Sequence, residues 1–105
     1  MKNISLTIGH NVNGAAKWTI QNITAAVSLT LDIEAFTAIP CYGMWRGEAE
    51  ESTRIEICSL TDEQAQEIRA RIPKLSELLE QEAIMYQETT ANVEFVEPAN
   101  IPAMA

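Results

Sequence analysis

The sequence predicts an α+β domain with the element order β-α-β-β-α-β. Three observations carry that expectation. Apolar and polar residues alternate over Ile4–Ile8 and Thr53–Cys58, the period of two of a half-buried strand. Apolar residues recur at helical spacing from about Thr19 to Leu31 and again from Thr61 to Leu79. A chain of 105 residues has room for one small core and no second one.

The elements follow in order. Ile4, Leu6 and Ile8 alternate with Ser5 and Thr7, which gives a strand with one buried face. Gly9–Gly14 (GHNVNG) is turn chemistry, with Asn13-Gly14 tolerant of positive φ. In the first helix Ile20, Ile23, Val27 and Leu31 share a side, Thr19 is placed to cap, and Trp18 packs just outside. Ala35–Trp45 is rich in β-formers, but Pro40 cannot donate to a ladder, so this strand belongs at an edge, at a bulge, or in two short pieces. Gly47–Glu50 reads as a polar reversal into the strand Thr53–Cys58, and a connection this short dictates an antiparallel hairpin. Thr61-Asp62-Glu63-Gln64 is a capping box that opens the second helix, whose apolar stripe is Ala65, Ile68, Ile72, Leu75 and Leu79. Pro73 removes the amide that would bond the Arg69 carbonyl, which predicts a kink or a break into two shorter helices. Ile84–Gln87 and Asn92–Val96 are strand segments at the C-terminal end, expected as a final hairpin or as one bulged strand.

This order is the split-βαβ, ferredoxin-like pattern: an antiparallel sheet with two helices on one face and room for an extra C-terminal strand. Residues 1–97 are read as one domain and residues 98–105, with Pro98 and Pro102, as a tail that frays. The second sheet face is uncovered, with Met85, Gln87, Trp45 and Tyr42 as the residues expected on it. A second subunit is expected to cover it, so the chain is read as a homo-oligomer.

Composition narrows the function. The formal net charge is -8 with 15 acidic and 7 basic residues. Residues 1–47 carry two acids, whereas residues 48–105 carry 13. An acidic surface of this kind repels nucleic acid and anionic lipid. No apolar run approaches the roughly 18 residues of a membrane span, and the N-terminal segment lacks a secretory pattern, so a cytoplasmic setting is expected. Cys41 and Cys58 stand apart without a CxxC or Cys/His grouping, and His10 is the only histidine. The thiols are expected free, and neither a metal nor a cofactor is expected.

The central hairpin carries Gly43-Met44-Trp45-Arg46-Gly47-Glu48-Ala49-Glu50-Glu51-Ser52, of the form G-x-W-x-G-x-x-E-x-S, and Gln81-Glu82-Ala83-Ile84-Met85 follows the second helix. Over about residues 4–96 these features resemble small ferredoxin-like proteins of unknown function from bacteriophages and bacterial mobile elements. The resemblance implies the fold and no particular activity.

Five residues are candidates for a site. Trp45, between Gly43 and Gly47, is able to stack on a ring with Arg46 or Arg54 as an anion partner, or to pack across the hairpin. Glu50 and Ser52 place a carboxylate beside a hydroxyl, suited to a sugar or an amide and equally to holding a turn. His10, in the turn after the first strand, is the sole imidazole base. No nucleophile–base pair is evident, so the favoured function is a non-enzymatic binding or inhibitory module that occupies a host protein or a small ligand through Trp45, Arg46, Glu50, Ser52 and His10. The alternative is a small enzyme or ligand-processing protein whose pocket, between the sheet and the 9–14 turn, uses His10, Glu50 and Ser52.

Overall fold

A computed structural model describes residues 1–99. Strands β1 (Lys2–Gly9), β2 (Asn11–Val12) and β3 (Ala15–Ala16) lead into helix α1 (Ile20–Leu31). Strands β4 (Thr37–Trp45) and β5 (Glu48–Leu60), helix α2 (Asp62–Leu78) and strand β6 (Met85–Thr90) follow. Strands β4, β5, β1 and β6 form one sheet in that spatial order, with every neighbouring pair antiparallel. This is the ferredoxin-like arrangement expected. Strands β2 and β3 are a separate two-residue ribbon around the Asn13-Gly14 turn.

Register explains the layers. Ile4, Leu6 and Ile8 lie opposite Ile57, Ile55 and Thr53, and all six are buried. They meet Ile23, Ala26, Val27 and Leu31 of α1 and Ala65, Ile68, Ile72 and Leu75 of α2 in one core. Ser5 and Thr7 face the other way, opposite Glu56 and Arg54. An extra residue in β5 near Cys58-Ser59 shifts the register between Lys2 and Ile4. Ser59 adopts φ 66° there, and its amide donates to Asn3 Oδ1 at 3.1 Å. The bulge resets the alternation, so Leu60 returns to the core.

Both helices start on a capping box. Thr19 accepts from the Asn22 amide and Thr61 from the Gln64 amide, each with the reciprocal side-chain contact in place. Pro40 lies in the edge strand β4, where a missing amide leaves no gap in the sheet interior.

Three expectations need correction. Of the kink or break expected at Pro73, the break does not occur: α2 runs through the proline, because Ala65, Ile68, Ile72 and Leu75 are buried on both sides of it and that burial outweighs one lost hydrogen bond. The reversal is only Arg46-Gly47, with φ 51° and 81°, so Glu48–Ser52 is strand and not turn. Such a two-residue turn with both φ values positive matches strand twist, and glycine meets no Cβ penalty there. Finally, Thr89 and Thr90 belong to β6, while residues 91–99 form no regular element. Among the described residues Asn92–Val96 finds no neighbouring strand, and Phe95 and Val96 are exposed. Of the tail expected over residues 98–105, residues 100–105 lie outside the described residues.

Candidate functional site

Strands β4 and β5 outrun their neighbour. The β1–β5 pairing ends at Gly9 opposite Ser52, and beyond it the hairpin projects with Tyr42, Met44 and Trp45 exposed. A groove of about 580 Å³ opens at the root of this projection. Pro40, Cys41 and Tyr42 form one wall, Glu51 and Ser52 the next, and His10 lies at the end of β1. Trp18, Thr19, Ile20 and Gln21, the entry to α1, close the other side.

Parity places these side chains. Continuing the alternation of Ile4, Leu6 and Ile8, His10 turns to the helix side of the sheet, and Glu51 and Thr53 alternate with Ile55 onto the same side. His10 is only 8% exposed, and its Nε2 lies 2.8 Å from Thr53 Oγ1. Its Nδ1 is 4.0 Å from the carboxylate of Glu51, which reaches into solvent. The backbone holds His10 just as firmly: its amide donates to the Glu51 carbonyl at 2.9 Å, and its carbonyl accepts from the Lys17 and Trp18 amides at 3.0 and 2.9 Å.

Trp18 is fixed from behind. Its indole N–H donates to the Leu79 carbonyl at 2.8 Å, and the Lys17 ammonium lies 5.0 Å from its ring centroid. Lys17 in turn pairs with Glu80. The Gln81 side-chain amide donates to the carbonyls of Leu79 at 3.1 Å and Asn11 at 3.4 Å. The end of α2 therefore clasps the segment between β1 and α1, and the groove wall is tied to the core. At the α1 terminus Thr19 accepts from the Asn22 amide, which leaves the Ile20 and Gln21 amides without partners inside the helix.

The five candidates from the sequence do not converge. His10 lines the groove; Ser52 borders it, but register turns its hydroxyl to the open face, beside Gly43. Glu50 does not line the groove; it lies on the same open face across Gly9 and accepts from the Asn11 amide at 3.0 Å. Trp45 and Arg46 form the hairpin tip, with the guanidinium 5.6 Å from the indole centroid and 3.5 Å from the Glu82 carboxylate. Of the residues expected on the open face, register puts Met85, Gln87 and Trp45 there, but Tyr42 lies opposite Glu51 on the groove side. Trp18, Tyr42 and Glu51 line the groove and Thr53 holds His10 from within the core; sequence reading passed over all four as site residues. The signal was present, since extending the alternation past Ile8 and back from Ile55 selects His10, Thr53 and Glu51 together.

The open face carries a polar network. Ser5 donates to Glu56 at 2.7 Å, and Arg54 donates to both Glu56 and Ser5. Burial pushes the Glu56 carboxyl up, but the hydrogen bonds from Ser5 and Arg54 and the Arg54 charge outweigh it and leave the group below its ordinary range. On the helix side, burial and the hydrogen bond to Glu88 push the Tyr86 phenol up to about 12.

Both cysteines are free: Cys41 pairs with Ser52, and Cys58 lies beyond the reach of β4. Among the described residues no group of three His, Cys, Asp or Glu side chains is placed to hold a metal. None of the described helices is long and apolar enough to cross a membrane.

No protein-family model and no curated protein matches the chain. Solved structures do match it. Phage SAM lyase in its apo state superposes with a TM-score of 0.71 at 20% identity, covering 84% of this chain and 78% of that one. Phage SAM lyase in complex with S-methyl-5′-thioadenosine gives 0.62 at 20% identity, covering 84% and 79%. These neighbours are phage proteins, which is consistent with a small phage-type protein. They overturn the expectation of a non-enzymatic binding or inhibitory module, which rested on finding no assembled nucleophile and base, because the same architecture serves an enzyme. At this identity the likeness speaks for the fold: this chain folds as a phage SAM lyase does.

Proposed function

We propose that the chain is a lyase acting on S-adenosylmethionine, with the groove between α1 and the β4–β5 hairpin receiving the substrate. The observation that carries the reading is this groove, walled by Trp18 and Tyr42 and edged by Glu51, in a fold matched over 84% of the chain by phage SAM lyase.

The chemistry of the bound nucleoside in the neighbour defines the reaction proposed here. S-Methyl-5′-thioadenosine keeps the methyl and the 5′-adenosyl carbon, so the bond that breaks joins sulfur to the amino-acid side-chain carbon. Sulfur takes the electron pair and becomes a neutral thioether, while an oxygen of the substrate's own carboxylate forms the new bond to the side-chain carbon and closes a five-membered lactone, with no proton gained or lost. Such a step needs no enzyme nucleophile, so a chain without a nucleophile–base pair remains suited to it.

The groove residues suit each part of that substrate. Trp18, anchored through its N–H, and Tyr42 offer ring faces for the adenine. The Glu51 carboxylate supplies a negative charge beside the positive sulfonium. The unpartnered Ile20 and Gln21 amides are donors for the substrate carboxylate. His10, buried and tied to Thr53, fills the floor and excludes water.

Incubation with S-adenosylmethionine, followed by chromatography for S-methyl-5′-thioadenosine, is the direct test. Formation of the thioether nucleoside, abolished by Trp18→Ala together with Tyr42→Ala, is expected. Absence of turnover and of nucleoside binding by the folded wild-type protein at millimolar concentration overturns the reading.

A further inference from the structure

We infer that Glu50 is a positioning residue for the groove, acting from the opposite face of the sheet by holding the Gly9–Asn11 segment in place under His10. The inference rests on the groove reading above for its functional consequence, and on geometry alone for the latch itself.

Three observations converge on it. The Glu50 carboxylate accepts from the Asn11 amide at 3.0 Å, so it is bound to the backbone just past His10. The same carboxylate lies where a side chain on Gly9 would stand: a Cβ built there comes within 2.6 Å of its carboxyl carbon and both oxygens. Glu50 thus grips the chain on both sides of His10, while the His10 amide is bonded to the neighbouring Glu51 carbonyl at 2.9 Å. Parity makes the device possible. Gly9 and Glu50 turn to the open face, whereas His10 and Glu51 turn to the groove, so the latch never enters the space it shapes.

The requirement for glycine at position 9 is a close-approach requirement, since its φ is not in the left-handed region. The obstructing atoms are the far end of a flexible side chain, so Gly9→Ala displaces Glu50 without forcing the strand apart. The hydrogen bond is charge-assisted and half-buried, which makes it one of the stronger links between the sheet and the segment that carries His10 and Trp18. Without it, the Lys17 and Trp18 amides still bond the His10 carbonyl, but Asn11 at the start of the ribbon loses its tie to β5 on the open face.

The test is a double-mutant cycle read without any ligand, with a ligand arm beside it. Glu50→Ala and Gly9→Ala, each alone, are expected to speed hydrogen exchange of the Asn11 amide about tenfold or more and to shift the His10 ring resonances. Glu50→Gln, which keeps an acceptor oxygen, retains most of the protection. Gly9→Ala in the Glu50→Ala background adds little, because there is nothing left to displace. In the ligand arm, S-methyl-5′-thioadenosine is titrated into each variant, and the latch-broken proteins are expected to bind several-fold more weakly. Unchanged Asn11 exchange and unchanged His10 resonances in Glu50→Ala overturn the inference, as does an equal effect of Gly9→Ala with and without Glu50. Failure of the wild type to bind the nucleoside strikes at the groove reading alone, and the exchange arm still decides the latch.

Discussion

Trp18 offers the sharpest test of the groove, because one side chain joins fold and site. Its ring packs on the core and lines the groove, and its N–H reaches the Leu79 carbonyl at 2.8 Å. Trp18→Phe removes the donor and keeps an aromatic wall. A net hydrogen bond contributes about 0.5–1.5 kcal/mol. The Leu79 carbonyl is not orphaned by the change, since Gln81 still donates to it at 3.1 Å, so the loss is expected near about 1 kcal/mol. In a domain of this size that lowers Tm by about 4–8 °C. Trp18→Ala removes the ring as well. Its stability cost stays below the ~3–5 kcal/mol of a fully buried tryptophan, because the ring is only partly buried. Its effect on nucleoside binding is larger in proportion: a base stacked on an aromatic ring is worth about 1–3 kcal/mol, a loss of about fivefold to over a hundredfold in Kd. Thermal melts give the first quantity, and calorimetric titration with S-methyl-5′-thioadenosine gives the second. Wild-type affinity in a folded Trp18→Ala protein refutes the stacking role and moves the binding site elsewhere. A Tm unchanged by Trp18→Phe refutes the anchoring bond.

The remaining expectations concern the hairpin tip and the open face. Trp45 is 52% exposed, so Trp45→Ala is expected to cost well under the ~3–5 kcal/mol of a buried ring; a larger loss in a protein that light scattering shows to be monomeric throughout contradicts that placement. Glu56 is held below its ordinary value in the folded protein. Its contribution is therefore complete above the unfolded value of about 4.3 and is lost as pH falls through the lower folded value. Urea titrations at pH 7 and pH 3 are expected to show a smaller acid loss in Glu56→Gln than in wild type, by no more than about 1 kcal/mol for a partly exposed network. An identical acid loss in both proteins contradicts the network's role.

What the sequence settled by itself was whatever depends on neighbours along the chain. The capping box at Thr61 closes within four residues, and the alternation of Ile4, Leu6 and Ile8 declares a buried face without reference to its partner. Pro40 limited its strand to an edge, a bulge or two short pieces, because it cannot donate to a ladder, and the sheet order then made it an edge. Tertiary structure decided the rest. Pro73 stays inside α2 because the core on both sides of it holds the helix. Asn92–Val96 has the pattern of a strand but, among the described residues, no neighbour to pair with, and a strand is stable only against another. The site turned on a single step of parity: Glu50 and Glu51 are adjacent in sequence and chemically alike, yet one latches the back of the sheet and the other edges the groove. Register across β1 and β5 makes that choice, and a shift of one residue reverses it. Trp18 became part of the site only because α2 ends where Leu79 can receive its N–H, a contact between residues 61 positions apart that no local pattern encodes.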